Sequence, residues 1–198
     1  NNITELHMVK NQKKQVVKSK KIQQKKQKEQ EKQVGIGGAA ELVIGEEKVA
    51  PGIVFIFEAA MEDHITPNKL HLESSYTDVH IEARANWDEN DKTVEDGGNL
   101  PNGTPPGGFV PYLNITAEII NENESHLRSF IDITPHINLI DNFHYARNVS
   151  LPGKKDDLYT VKFNIVPPTN IELAEHSDWK QKYSFKKHTF EYNNVNFK

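Results

Sequence analysis

Metal-capable side chains concentrate in two segments, Asp78-Val79-His80-Ile81-Glu82-Ala83 and Pro135-His136 through Phe143-His144-Tyr145. Imidazole nitrogens and carboxylate oxygens bind Cu, Zn and Fe. The chain has no cysteine, which excludes a thiolate site and leaves His, Asp, Glu and Met as ligands. His80 and Glu82 are two apart, so on a strand they share a face. His136 and His144 are eight apart. Asp141-Asn142 between them reads as a turn, so a loop folding back there brings both imidazoles together. Each signal has a plainer reading as well. Exposed His-x-Glu pairs are common, and Arg84 on the same face can simply pair with Glu82. His176, in the polar connection Leu173–Trp179, and His64 are further candidates. His7, His71, His126 and His188 read as surface residues.

The elements that must position these groups are strands. Ile53–Phe57 is a continuous apolar run, as in a buried strand. In residues 79–87, Val79, Ile81, Ala83, Ala85 and Trp87 face one way. His80, Glu82, Arg84 and Asn86 face the other, which puts the candidate ligands on the outer face of a sheet. Further strands are expected at Phe109–Ile120, Phe130–Thr134, Tyr159–Ile165 and Tyr183–Tyr192. Residues 88–108 are polar and rich in Gly and Pro, a long loop of the kind often used for function. About seven short strands with turn signals between them predict an all-β sandwich, with an eight-stranded barrel as the competitor. Residues 5–33 are rich in Lys, Gln and Glu and predict a helix, but the apolar stripe Leu6, Val9, Val16, Val17, Ile22 is too thin for a core. Gly35-Ile36-Gly37-Gly38 ends it. The expected organisation is a basic extension and linker over 1–40 and a β domain over 41–198.

Charge is divided the same way. Residues 1–34 carry a net +7 and the remainder −11. The acidic body argues against nucleic acid and suits cations. The basic arm suits an anionic membrane surface or a partner helix, or is a solvated stalk. No apolar run approaches the ~20 residues of a membrane-spanning helix. No signal peptide or initiator Met is visible, consistent with a mature or trimmed form. Five Asn-x-Ser/Thr sequons, at Asn2, Asn102, Asn114, Asn123 and Asn148, read as products of an Asn-rich composition rather than glycan sites.

Several motifs together resemble the bacterial periplasmic iron-transport protein family, copper-binding partners of Ftr-type iron permeases. Asp78–Ala83 resembles its D-(I/C)-H-(L/I)-E-A motif, and Gly108-Phe109-Val110-Pro111-Tyr112-Leu113 its G-F-x-P-Y-L motif. Phe143-His144-Tyr145-Ala146-Arg147-Asn148 resembles its P-H-Y-G-A-N motif. Glu41–Glu46, Pro152-Gly153 and Tyr159–Val161 resemble its flanking segments. The resemblance covers residues 41–192 and implies an immunoglobulin-like sandwich, a homodimer and a metal site at or near the dimer interface. Carried over singly, His80, Glu82 and His144 match family ligands, and His176 matches a later His. His136 stands where the family has Met, with one extra residue before His144, and Phe143 stands where it has Pro. Imidazole in place of a soft thioether shifts preference from Cu(I) towards Cu(II) or Zn(II).

The resulting expectation is a non-enzymatic envelope protein that binds copper, or alternatively zinc or iron, through His80, Glu82, His136, His144 and His176. It would assist high-affinity iron uptake beside an inner-membrane permease. It would be periplasmic, with a lipid anchor possible through a Cys lying outside this sequence. The alternative is a surface β-sandwich module that binds a host protein or glycan, with its histidines incidental. No nucleophile elbow or HExxH motif supports a hydrolase.

Overall fold

Alternation of apolar and polar residues governs most strands in the computed structural model, which describes residues 41–68, 76–169, 171–179 and 186–198. The helix expected over 5–33 lies outside the described residues. From Glu41 onward the chain forms one compact unit. Its strands are β1 (Leu42–Val49), β2 (Ile53–Ala60), β3 (Val79–Trp87), β4 (Asn114–Asn121), β5 (Arg128–Asn138), β6 (Asn142–Val149), β7 (Tyr159–Val166) and β8 (His188–Val195). All pairings are antiparallel, in the order β1-β2-β3-β6-β5-β4-β7-β8.

The architecture is all-β, an immunoglobulin-like sandwich. Residues Arg128–Ile133 of β5 pair with β4, whereas Thr134–Asn138 pair with β6. One strand therefore passes from one layer to the other at Ile133-Thr134-Pro135. Pro135 cannot donate to a ladder, and a bend between layers is a place where that loss is tolerated. Between the layers, Phe57 of β2 stacks on Phe163 of β7 with centroids 4.0 Å apart. Phe55, Ile81, Ala83, Ile119, Tyr159, Val161 and Ile165 are fully buried around them. At the opposite edges, Tyr192 of β8 covers Gly45 of β1 so closely that a Cβ there would lie 2.2 Å from the ring. Tyr192 also donates a hydrogen bond to Glu47 (3.0 Å). The contact nearly closes the structure, but β1 and β8 share no ladder, so it is not a barrel.

Three expectations about elements are corrected. The described residues hold eight strands because Asn142–Val149, expected as part of a folded-back loop, is a strand paired to both β3 and β5. Regular pairing of β4 starts at Asn114, not Phe109, since Pro111 and the left-handed Tyr112 (φ 61°) interrupt extended backbone. The last strand starts at His188. The 88–108 loop is pinned at the far end of β3 from His80. Leu100 is fully buried under Gly52, and Asp91 caps the backbone N–H groups of Lys92 and Asn99.

Tyr145 of β6 is fully buried, donates to the Val110 carbonyl (2.7 Å) and accepts from the Leu113 N–H (3.0 Å). It ties the irregular 109–113 segment to the strand that carries His144. Replacing Tyr145 with Phe leaves a buried N–H and carbonyl without partners and is expected to cost about 1–3 kcal/mol. An unchanged urea midpoint in Tyr145→Phe would refute this role.

Candidate metal centre

Three neighbouring strands bring the histidines together. Antiparallel register sets His136 of β5 directly opposite His144 of β6. On the other side of β6, His80 of β3 pairs with Asn148 and Glu82 with Ala146. Ligand nitrogens of His80, His136 and His144 all lie within 4.8 Å of one another. The His80 and His136 rings are near parallel at 5.6 Å, and His144 stands edge-on to His136 at 5.8 Å. The hairpin joining β5 and β6 is fixed by Asn138, whose Oδ1 accepts from the N–H groups of Ile140 (2.9 Å) and Asp141 (2.6 Å). Asn142 adopts φ 56° at its close. The segment expected to fold back as a loop does so as two paired strands.

Glu82 faces the same cluster. Its Oε1 is 3.6 Å from His80 Nε2 and 3.9 Å from His144 Nε2. Ligands on a tetrahedral ion at 2.0–2.1 Å lie about 3.4 Å apart, so only small side-chain movements separate this arrangement from a coordinating one. Ring orientation fits as well. His80 Nδ1–H donates to Asn148 Oδ1 (2.8 Å) and His144 Nδ1–H to the Asn142 carbonyl (3.0 Å). Both bonds leave the Nε2 lone pair aimed inward, the pattern that fixes a metal-binding tautomer. The donor set and its geometry fit a transition-metal ion.

The outer face of β3 is buried within the single chain: His80 is 2%, Glu82 4% and His144 2% accessible. The chain covers this face itself. Asn148 Nδ2 donates to the Asp63 carbonyl (2.7 Å), and the Asp63 N–H donates back to Asn148 Oδ1 (3.3 Å). Residues 63–67 thereby form one wall of a cavity of about 860 Å³, with Asp132, Thr134, His136, His144 and Arg147 on the other walls. His64, an additional candidate, stands on that wall. The sequon at Asn148 is inside the fold, where no glycan can be attached.

Behind Glu82 lies a charge cluster that sequence reading recognised only in part. Arg84 does approach Glu82, at 3.8 Å, but its closer partners are Asp141 (2.8 Å) and Glu58 (3.1 Å), with Glu41 at 3.8 Å. Glu58 is 1% exposed. Burial pushes the Glu58 carboxyl up, with Arg84 opposing. Burial, followed by the Asp141 charge, pushes Glu82 up to about 8, again against Arg84. Burial alone would lower Arg84, but Glu58, Asp141, Glu82 and Glu41 outweigh it and raise the guanidinium pKa. Asn148, Glu58 and Asp141 carried no signal of these roles, since each depends on which strands become neighbours.

His176 is not brought to the cluster. It lines a separate apolar cleft with Trp87, Pro111, Leu173 and Trp179. Trp87 is seven residues along β3 from His80, about 20 Å or more of extended strand. His126 faces Glu124 on an exposed turn, and His188 stacks on Phe190. His7 and His71 lie outside the described residues.

A family model described as Fe2+ transport protein matches residues 38–198. Among solved structures, a copper-bound variant of Campylobacter jejuni P19 is 24% identical, covers 78% of this chain and 96% of its own, and has a TM-score of 0.62. A copper-bound variant of FetP from uropathogenic Escherichia coli strain F11 is 21% identical, covers 79% and 98%, and has a TM-score of 0.61. Copper-reconstituted P19 from Campylobacter jejuni, at pH 10.0, gives 24%, 77% and 94% with a TM-score of 0.62. These likenesses show the shared fold. No curated protein matches the chain.

The raised Glu82 pKa makes a pH prediction for the metal-free protein. Between the ordinary carboxylate value of 4.5 and about 8, the folded state holds a proton on Glu82 that the unfolded chain releases. Stability is therefore lost as pH rises through that window. Glu82→Gln is neutral throughout and lacks this contribution to the slope. In chelator, its urea midpoint should exceed that of the wild type at about pH 8.5 and converge with it near about pH 5. Parallel pH profiles for the two proteins would contradict the assignment.

Proposed function

The chain belongs to the Fe2+ transport protein family, and from this membership and the buried histidine cluster we propose that it is a metal-binding protein of the bacterial envelope that assists iron uptake. One observation carries the reading: three imidazoles and a carboxylate converge from adjacent strands, with two Nε2 lone pairs held inward. His80, Glu82, His136 and His144 hold one ion per subunit. Copper is favoured, because structures sharing the fold are copper-bound, with zinc or iron as alternatives. Bound copper would supply one-electron exchange beside an iron substrate. The chain's own part is to orient the imidazoles, limit water access and keep Arg84 against the far side of Glu82.

The donor set bears on preference. Three borderline imidazoles with a hard carboxylate favour Cu(II) or Zn(II) over Cu(I). Within one chain His176 stands apart, so its part in a site requires a second copy, in line with the homodimer implied by the family resemblance. A periplasmic location and an iron permease as partner follow from the same family reading.

Copper titration of purified, chelator-treated protein tests the proposal. The expected result is one Cu(II) per chain, abolished in the double variant His80→Ala, His144→Ala, with the fold checked by circular dichroism. Equal copper uptake by the double variant would support a surface module with incidental histidines. Affinity should fall markedly below about pH 6, where imidazoles protonate and no longer bind metal. Unchanged affinity at about pH 5 would exclude an imidazole-dominated site.

A further inference from the structure

The cavity beside the histidines contains a cation that the metal reading does not use. Arg147 of β6 is half-buried and lines the cavity together with His136 and His144. Among the described residues its side chain makes no hydrogen bond or ion pair, whereas Arg84, on the neighbouring strand, is within 4 Å of four carboxylates. A half-buried guanidinium that lines a space without a counter-charge attracts an anion into it. A second observation points the same way. Thr134 Oγ1, on the same wall, is buried and has no hydrogen-bond partner. Two donors without acceptors thus line one space next to the imidazole cluster. The carboxylates of Asp63 and Asp132 belong to exposed residues of the lining. At about 860 Å³ the cavity far exceeds what a hydrated ion fills and lies in the range of small-molecule sites.

We propose that this cavity binds a small oxyanion, carboxylate or phosphate in type, whose oxygens are shared between Arg147, the Thr134 hydroxyl and the metal held by His136 and His144. The inference rests on the metal reading for its third contact and on Arg147 and Thr134 for the other two. Arg147 is well suited to the role, because its planar fork donates two parallel hydrogen bonds to a carboxylate or phosphate. Iron arriving as a carboxylate chelate and a free anion share this chemistry.

Calorimetry and Cu(II) electron paramagnetic resonance on copper-loaded protein provide the test, with oxalate, inorganic phosphate and iron(III)–citrate as separate probes and chloride as control. Oxalate or phosphate is expected to perturb the Cu(II) spectrum and to bind at least about ten-fold more weakly to Arg147→Gln, the loss of one charge-assisted contact. Arg147→Lys should recover part of the affinity, and Thr134→Val should show a smaller loss. Copper stoichiometry should be the same in all of these variants. Preference for iron(III)–citrate over free citrate would identify a cargo chelate, and the reverse a free anion. Equal oxyanion affinity in wild type and Arg147→Gln, with both folded and copper-loaded, overturns the inference. If copper does not bind at all, the metal reading fails separately. Arg147-dependent binding to metal-free protein would then still support the oxyanion site, and its absence would overturn it.

Discussion

The antiparallel register of β3, β6 and β5 is the constraint on which the site depends. His136 opposite His144, with Glu82 level with Ala146, requires all three strands to pair in one alignment. A slip of one residue on any strand would turn its ligand towards the aromatic core and a core residue towards the cavity. The core itself opposes such a slip, because Ile81, Ala83 and Tyr145 are fully buried on the other face of the same strands. Packing inside the sandwich thus sets ligand positions outside it. The donor atoms inherit a precision that a loop-borne cluster would lack.

Electrostatics gives the site its second character. The outer face of β3 carries His80, Glu82 and Arg84 in alternate positions, and neighbouring Glu58 is almost fully buried beside them. Polar groups withdrawn from water need partners. Arg84 satisfies the carboxylates on one side of Glu82, and imidazoles occupy the other. Without metal, Glu82 answers burial by keeping its proton. A bound cation would reverse that preference, since a nearby positive charge stabilises the carboxylate. Proton and metal therefore compete for one side chain as well as for the imidazoles.

Much of this was legible in the sequence where the signal was local. Alternation in residues 79–87 located β3 and gave His80 and Glu82 their common face, and the apolar run at 53–57 located β2. What failed was non-local. Asn142–Val149 alternates poorly because β6 is central, with both faces covered, so it read as loop. Alternation marked the polar face of β3 as an outer face but carried no signal of what covers it. Here it marks a covered polar layer, and the cover comes from residues 63–67, whose docking partner Asn148 lies more than eighty positions away in sequence. His176 illustrates a limit of another kind, since chemical type and motif position did not place it near the cluster within the chain.

Asn148 binds three things with one amide: its Oδ1 meets His80 Nδ1 and the Asp63 N–H, while its Nδ2 meets the Asp63 carbonyl. Cavity cover and imidazole alignment are consequently not independent degrees of freedom. Lifting residues 63–67 away would withdraw both bonds between Asp63 and the amide, and so loosen the acceptor that fixes the His80 tautomer. By reciprocity, anything that stiffens His80 would also hold that segment down. Access to the site and readiness of its ligands are thermodynamically linked through a single side chain.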